Sequence, residues 1–268
     1  MKKNVEVRKM LLAVNVGNSI ISFGFFEDGC DMRASFDISS DIRKTSDEYI
    51  FTIRAIAESR GIRAEDIDGA IISSVVPQLT EKIRRSIEGF IGKEPLVVGP
   101  GVKTGFHIKI DNPSELGADM VANTAAAICQ KKGSALIVAD IGAVNTVSAI
   151  SKNGEYLGCA IFPGVQLSFD TLHSEAAQLP NVNLALSSRA IGKNSQNAVR
   201  SGVILGSSLA LDGFVSRFAS EMKLSREEIE LVATGQYARA VLPYCKNQFE
   251  YVEHLTLIGL YHIYNANL

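Results

Sequence analysis

The sequence predicts a mixed α/β protein made of two related halves, and three observations carry that expectation. A strand running into a glycine turn, Leu12-Ala-Val-Asn-Val-Gly-Asn-Ser19, returns as Val138-Ala-Asp-Ile-Gly-Ala-Val144. Asn15 and Asp140, Gly17 and Gly142, and Gly29 and Gly154 each lie 125 residues apart, so three positions share one offset. Between these landmarks, apolar strand-like runs alternate with helical spacings, the pattern of layered α/β domains with a mixed sheet.

With 268 residues and 46% hydrophobic content the chain can fill two cores. The duplication places the domains at 8–132 and 133–268. A net charge of −2 with no long run of one sign leaves no nucleic-acid footprint, so no nucleic acid is expected as partner. The apolar run after the basic start is broken at Asn15, too short for a signal peptide or a membrane span; the expectation is a cytoplasmic protein with no membrane partner. Cys30, Cys129, Cys159 and Cys245 have no paired spacing, and His107, His173, His254 and His262 no metal spacing.

Taken in order, the first strand and its partner close at Asp28-Gly29, a strong hairpin signal because both central turn residues need positive φ. A third strand follows at 33–38. Thr45 with Glu48 forms a capping box, and Tyr49, Ile53, Ile56 and Ala57 continue at helical spacing until Gly61. A buried strand over 66–76 ends at Pro77, an amphipathic helix fills 78–91, and short strands are expected at 95–99 and 106–110. An alanine-rich helix over 120–132, with little polar surface, should be largely buried. The second half repeats the plan: hairpin strands over 135–162, the turn Pro163-Gly164, a variable segment to Ser188, and a long helix over 195–222. Gly202 and Gly206, one turn apart on that helix, permit close approach of another backbone or a ligand. A last strand at 228–233 and an apolar helix at 255–264 end the chain.

Backbone amides around a glycine turn form a concavity suited to phosphate, and two such hairpins facing each other across a cleft could hold a nucleotide. Asp119 is the candidate base. It stands in the first turn of the alanine-rich helix, where the helix dipole favours negative charge, and Gly117 and Ala118 leave the backbone before it unshielded. Asn123 should share its face. A carboxylate there could accept a hydroxyl proton during phosphoryl transfer, in which positioning does most of the work. Asp140, at a strand end beside glycine, suits a cation near phosphates; its counterpart Asn15 is neutral and attracts Mg²⁺ less.

With these hairpins, Ser73-Ser-Val-Val-Pro77, Asn112-Pro-Ser-Glu-Leu-Gly-Ala-Asp119, Pro163-Gly164, Ile191-Gly-Lys-Asn-Ser195, Thr234-Gly235 and the Leu-Thr-Leu-x-Gly-Leu end, the sequence resembles the type III pantothenate kinases, of the acetate and sugar kinase, Hsp70 and actin superfamily. The resemblance implies a homodimer of two duplicated actin-like ATPase (ribonuclease H-like) domains with a central cleft. It implies a transferase that passes the γ-phosphoryl group of ATP to pantothenate, starting coenzyme A biosynthesis, with Mg²⁺ and a monovalent cation (K⁺ or NH₄⁺). It assigns Asn15, Val16, Gly17, Asn18, Ser19, Gly142 and Ala143 to ATP and its phosphates. Ile110, Gly117, Ala118, Asp119, Met120 and Ala176 fall to the pantothenate site, with Asp119 as base, and Asp140 to the cation.

Departures from the family pattern gather at the same positions. The first motif has Asn15 for aspartate and Ser19 for threonine. Met120 stands for arginine, Ala143 and Ala176 for threonines, Ile110 for a common tyrosine, and Gln236 for the second glycine of Thr-Gly-Gly. Losing transition-state contacts costs orders of magnitude in rate. Two alternatives therefore stand beside the kinase: a catalytically silent paralogue acting as a binding or regulatory protein, and a kinase for another small hydroxyl substrate.

Overall fold

The computed structural model describes residues 10–182, 184 and 189–268. Its strands form two sheets. The first comprises β1 (Met10–Val16), β2 (Ile20–Glu27), β3 (Asp31–Ser39), β4 (Ile67–Ser74) and β5 (Leu96–Val97), in the order β3-β2-β1-β4-β5. The second contains β6 (His107–Ile108), β7 (Ala135–Ile141), β8 (Val144–Ile150), β9 (Glu155–Pro163), β10 (Ile229–Thr234) and β11 (Glu250–Tyr251), in the order β11-β10-β7-β8-β9-β6.

The duplication is visible in this order. In each sheet a three-strand antiparallel meander carries a fourth and a fifth strand parallel to its first. β7 repeats β1 at the 125-residue offset at both ends. Even the irregularities correspond, since the second hairpin of each meander has one register shift, between Phe25 and Phe26 and between Ala149 and Ile150. β1 is buried on both faces, as expected of a central strand with a parallel neighbour, and Asn15 is its one half-buried residue.

Chain contacts divide the protein into two units. One comprises residues up to Gly105, Asn112–Ala126 and Leu255–Leu268; the other comprises Phe106–Asp111 and Ala127–His254. The expected cut after residue 132 thus differs from this division at three places: the short strand β6, the end of the alanine-rich helix from Ala127 to Lys132, and the C-terminal helix.

In the first unit, α1 (Ser46–Ser59) and α2 (Pro77–Ile91) cover one sheet face. Tyr49, Ile53, Leu79, Ile83 and Ile87 meet Leu12, Val14, Val16, Phe23 and Phe25. The capping box Thr45–Glu48 starts α1, and Pro77 starts α2, which stops at Gly92 with φ +69°. α8 (Leu255–Ala266) returns to this unit. Its Leu257 packs where Gly24 lacks a side chain, its Tyr264 hydroxyl lies against Gly69, and its Tyr261 ring stands 5.3 Å from that of Phe26. α3 (Ala118–Gln130) begins in this unit and is almost wholly buried as far as Ala127.

The second unit buries β7 and β10 under α4 (Val165–Glu175), α5 (Ser195–Arg200) and α6 (Gly206–Glu221). The last two are joined by a π-type turn at Ser201–Leu205, and the short α7 (Ala238–Val241) completes the layer. The run 195–221 is long and apolar enough to cross a membrane by composition, but Val199, Val203, Ile204, Leu211 and Val215 sit in this core. Neither Gly202 nor Gly206 has a neighbour within 4 Å of where a Cβ would stand, so no helix crossing among the described residues requires them. α4 occupies part of the segment read as variable, and residues 183 and 185–188 of that segment lie outside the described ones.

Candidate functional site

The carboxyl ends of β1 and β4 hold one group of candidates. Gly17 N–H donates to the Ile20 carbonyl (3.0 Å), the Ser40 hydroxyl donates to the Gly17 carbonyl (2.7 Å) and Ser40 N–H to the Ser19 carbonyl (3.0 Å). These bonds fix the Gly17-Asn18-Ser19 turn and leave the N–H groups of Asn18 and Ser19 without an acceptor among the described residues. Val16 is buried, and its carbonyl accepts from Val75 N–H (3.1 Å). Asn15 stands in register with Ser73 of β4, whose buried hydroxyl donates to Asn15 Oδ1 (2.7 Å).

Gly117 lies beside the next residue of the β4 connection, since a Cβ there would come within 3.8 Å of Val75 Cγ1. That Cβ would also stand 2.7 Å from Asp119 Oδ1, so only glycine lets the carboxylate fold back over the start of α3. Asp119 Oδ1 accepts from Met120 N–H (2.7 Å). Burial pushes its carboxyl pKa up, and the backbone N–H groups of Met120 and Asp119 pull less strongly the other way. Ala118 is the first residue of α3, and Met120 is buried in the core. Asn123 does not join the carboxylate; its Oδ1 accepts from the Thr256 hydroxyl of α8 (2.7 Å), a docking contact.

In the second unit Asp140, next to last in β7, stands in register with Thr234 of β10 and Thr146 of β8, the same register position that Asn15 holds against Ser73 in the first. Three glycines gather at this strand end, and two of them, Gly235 and Gly164, have no room for a Cβ. A Cβ on Gly235, whose φ is +100°, would stand 2.5 Å from both Asp140 Oδ1 and the Ile141 carbonyl. One on Gly164 would overlap the carbonyls of Gly142 and Ala143, and one on Gly142 would lie 3.5 Å from Asp140 Oδ1. Buried Asn145 donates to the Pro163 carbonyl (3.2 Å) and keeps an Oδ1 with no partner among the described residues. Ile110 follows β6 in this unit; Ala176 closes α4, its hydrogen bonds running to Leu172 and Leu179.

Among the described residues no three His, Cys, Asp or Glu side chains gather to hold a metal. Asn15, with one neutral oxygen already bonded to Ser73, does not fit a Mg²⁺ ligand, whereas a carboxylate among carbonyl oxygens at Asp140 suits a weakly held hard cation. Of the supporting residues, Ser73, Gly164 and Gly235 entered the sequence analysis as landmarks of the family resemblance, without a role, and Ser40 did not enter it at all. The available signal for Ser73 was a polar pair, Ser73-Ser74, ending an otherwise apolar strand.

A model of the type III pantothenate kinase family matches residues 11–217. Among solved structures, a protein described as a Baf family transcriptional activator from Campylobacter jejuni superposes with a TM-score of 0.59 at 18% identity, covering 96% of this chain and 100% of its own. One described as a 2-dehydro-3-deoxygalactonokinase from Sinorhizobium meliloti gives 0.59 at 13% identity, covering 96% and 99%. Component A of the (R)-2-hydroxyglutaryl-CoA dehydratase of Acidaminococcus fermentans gives 0.55 at 15%, covering 97% and 99%. At these identities the likeness is one of fold: the two-domain fold of the sugar kinases and actin-like ATPases.

Proposed function

The chain belongs to the type III pantothenate kinase family, and from that premise we propose that it transfers the γ-phosphoryl group of ATP to the hydroxyl of pantothenate. The observation that carries this reading is Asp119: a half-buried carboxylate at a helix start, with its pKa raised by desolvation and room made for it by Gly117. In the reaction the pantothenate oxygen attacks the γ-phosphorus, the bond to the ADP oxygen breaks, and the hydroxyl proton passes to Asp119. A base that is harder to ionise than a free carboxylate also holds that proton better. The turn 15–19 takes phosphate oxygens through its free N–H groups. Mg²⁺ bound to the nucleotide would neutralise phosphate charge, and Asp140 with its neighbouring carbonyls would hold K⁺ or NH₄⁺. We place the protein in the cytoplasm and expect a homodimer.

The test is formation of phosphopantothenate from ATP with Mg²⁺ and ammonium, by the wild type and by Asp119→Asn. Product from the wild type that disappears in the variant supports the reading; no product above a blank, while a family member run alongside turns over, ends it.

A second reading, a binding or regulatory protein without turnover, is favoured by Met120. Its side chain is buried in the core where the family has arginine, so no cation from this position balances charge beside Asp119. Under that reading ATP or pantothenate binds and no ADP is released. A third, a kinase for a less polar hydroxyl acceptor, predicts ADP release only when other acceptors are screened.

A further inference from the structure

We propose that Ser73 locks Asn15 as a hydrogen-bond donor, so that the first turn takes phosphate without a metal ion at Asn15; this rests on the reading of residues 15–19 as a phosphate site. Asn15 and Ser73 face each other in register on parallel strands, and the Ser73 side chain is fully buried. A hydroxyl has one hydrogen to give, and Ser73 gives it to Asn15 Oδ1 at 2.7 Å. The amide is thereby oriented. Its carbonyl oxygen is engaged, and its Nδ2, with two hydrogens, has no acceptor among the described residues.

A carboxylate at this position would accept the same bond from Ser73 and add a negative charge, which attracts Mg²⁺ and repels phosphate whenever the metal is missing. The amide does neither. It adds two N–H donors to the two backbone N–H groups left open at Asn18 and Ser19. The second half of the duplication keeps the acid, Asp140 against Thr234, so the two copies have diverged in the sign of what their first strand offers. Residue 15 is a phosphate donor, and Ser73 positions it.

The test titrates ATP into the whole protein by calorimetry, once with excess Mg²⁺ and once with EDTA, for the wild type, Asn15→Asp, Ser73→Ala and Ser73→Thr. The readout is the ratio of the two Kd values, which cancels any repulsion common to all variants, such as that from Asp140. Asn15→Asp is expected to raise this ratio about tenfold or more, because like charge is then unscreened only in EDTA. Ser73→Ala is expected to weaken binding roughly threefold to tenfold under both conditions alike, while Ser73→Thr, which keeps the hydroxyl and copies Thr234, binds as the wild type does.

A ratio that stays put in Asn15→Asp overturns the proposal, as does a folded Ser73→Ala that binds as tightly as the wild type. Should Ser73→Ala fail to fold, the Asn15→Asp arm decides alone. A wild type that binds no ATP in either condition overturns this proposal and the kinase reading together, whereas an unmoved ratio leaves the kinase reading standing.

Discussion

At Asp119 one carboxylate answers to two opposed demands. Burial raises its pKa, so the folded chain holds the carboxyl proton more tightly than the unfolded chain does. Below the unfolded value both states are protonated and the group costs nothing. As the pH climbs through and past that value, stability is lost, until the folded group has also ionised. Asp119→Asn keeps an acceptor for Met120 N–H and removes the charge. It should therefore raise the melting temperature at pH 8 while leaving it nearly unchanged at pH 3.5, a difference that a pair of thermal scans would read. Under the kinase reading the same change lowers kcat by about 10²–10⁴-fold. Asp119 could be singled out from its helix start alone, but the desolvation that raises its pKa could not, because that depends on how distant parts of the chain pack around the start of α3.

Among the elements, those with local chemical signatures could be read before the fold was known. Thr45 and Glu48 announce α1 because the box satisfies N–H groups that every helix start leaves open. Replacing Thr45 by alanine should cost about 1 kcal/mol in denaturant unfolding. The end of α6 is less expected. Lys223 there takes φ +56°, with its N–H on the Ser220 carbonyl and Leu224 N–H on that of Ala219, a pair of bonds that glycine forms at lower cost. Lys223→Gly is accordingly predicted to stabilise the protein by roughly 0.5–1 kcal/mol, measured as a raised denaturant midpoint with unchanged slope. α4 escaped the reading because its N-cap is Gly164, which makes no side-chain cap; Val165 and Phe169, four apart and both buried, were its available signal.

For the whole molecule, the C-terminal helix is the decisive piece. α8 closes on the first unit across three glycines, Gly24, Gly69 and Gly259, the last pressed against the Ala122 backbone of α3. A methyl group at 259 meets that backbone, so Gly259→Ala should cost about 3 kcal/mol and show as a lowered melting temperature with early proteolysis near residue 254. A fragment of residues 8–132, expressed alone, should stay unfolded by near-UV circular dichroism and refold when the 255–268 peptide is added, because the sheet face that α8 covers would otherwise be bare. The sequence by itself determined the duplication, the α/β class, the strand ends that carry Asn15 and Asp140, and the helix start at Asp119. Each of these is written in neighbouring residues or in a fixed repeat spacing. Only the tertiary structure decided that α8 belongs with the first unit, that Asn123 serves docking, and that Ser73 grips Asn15. Those outcomes depend on which side chains meet from distant parts of the chain, and periodicity and spacing hold no information about such meetings.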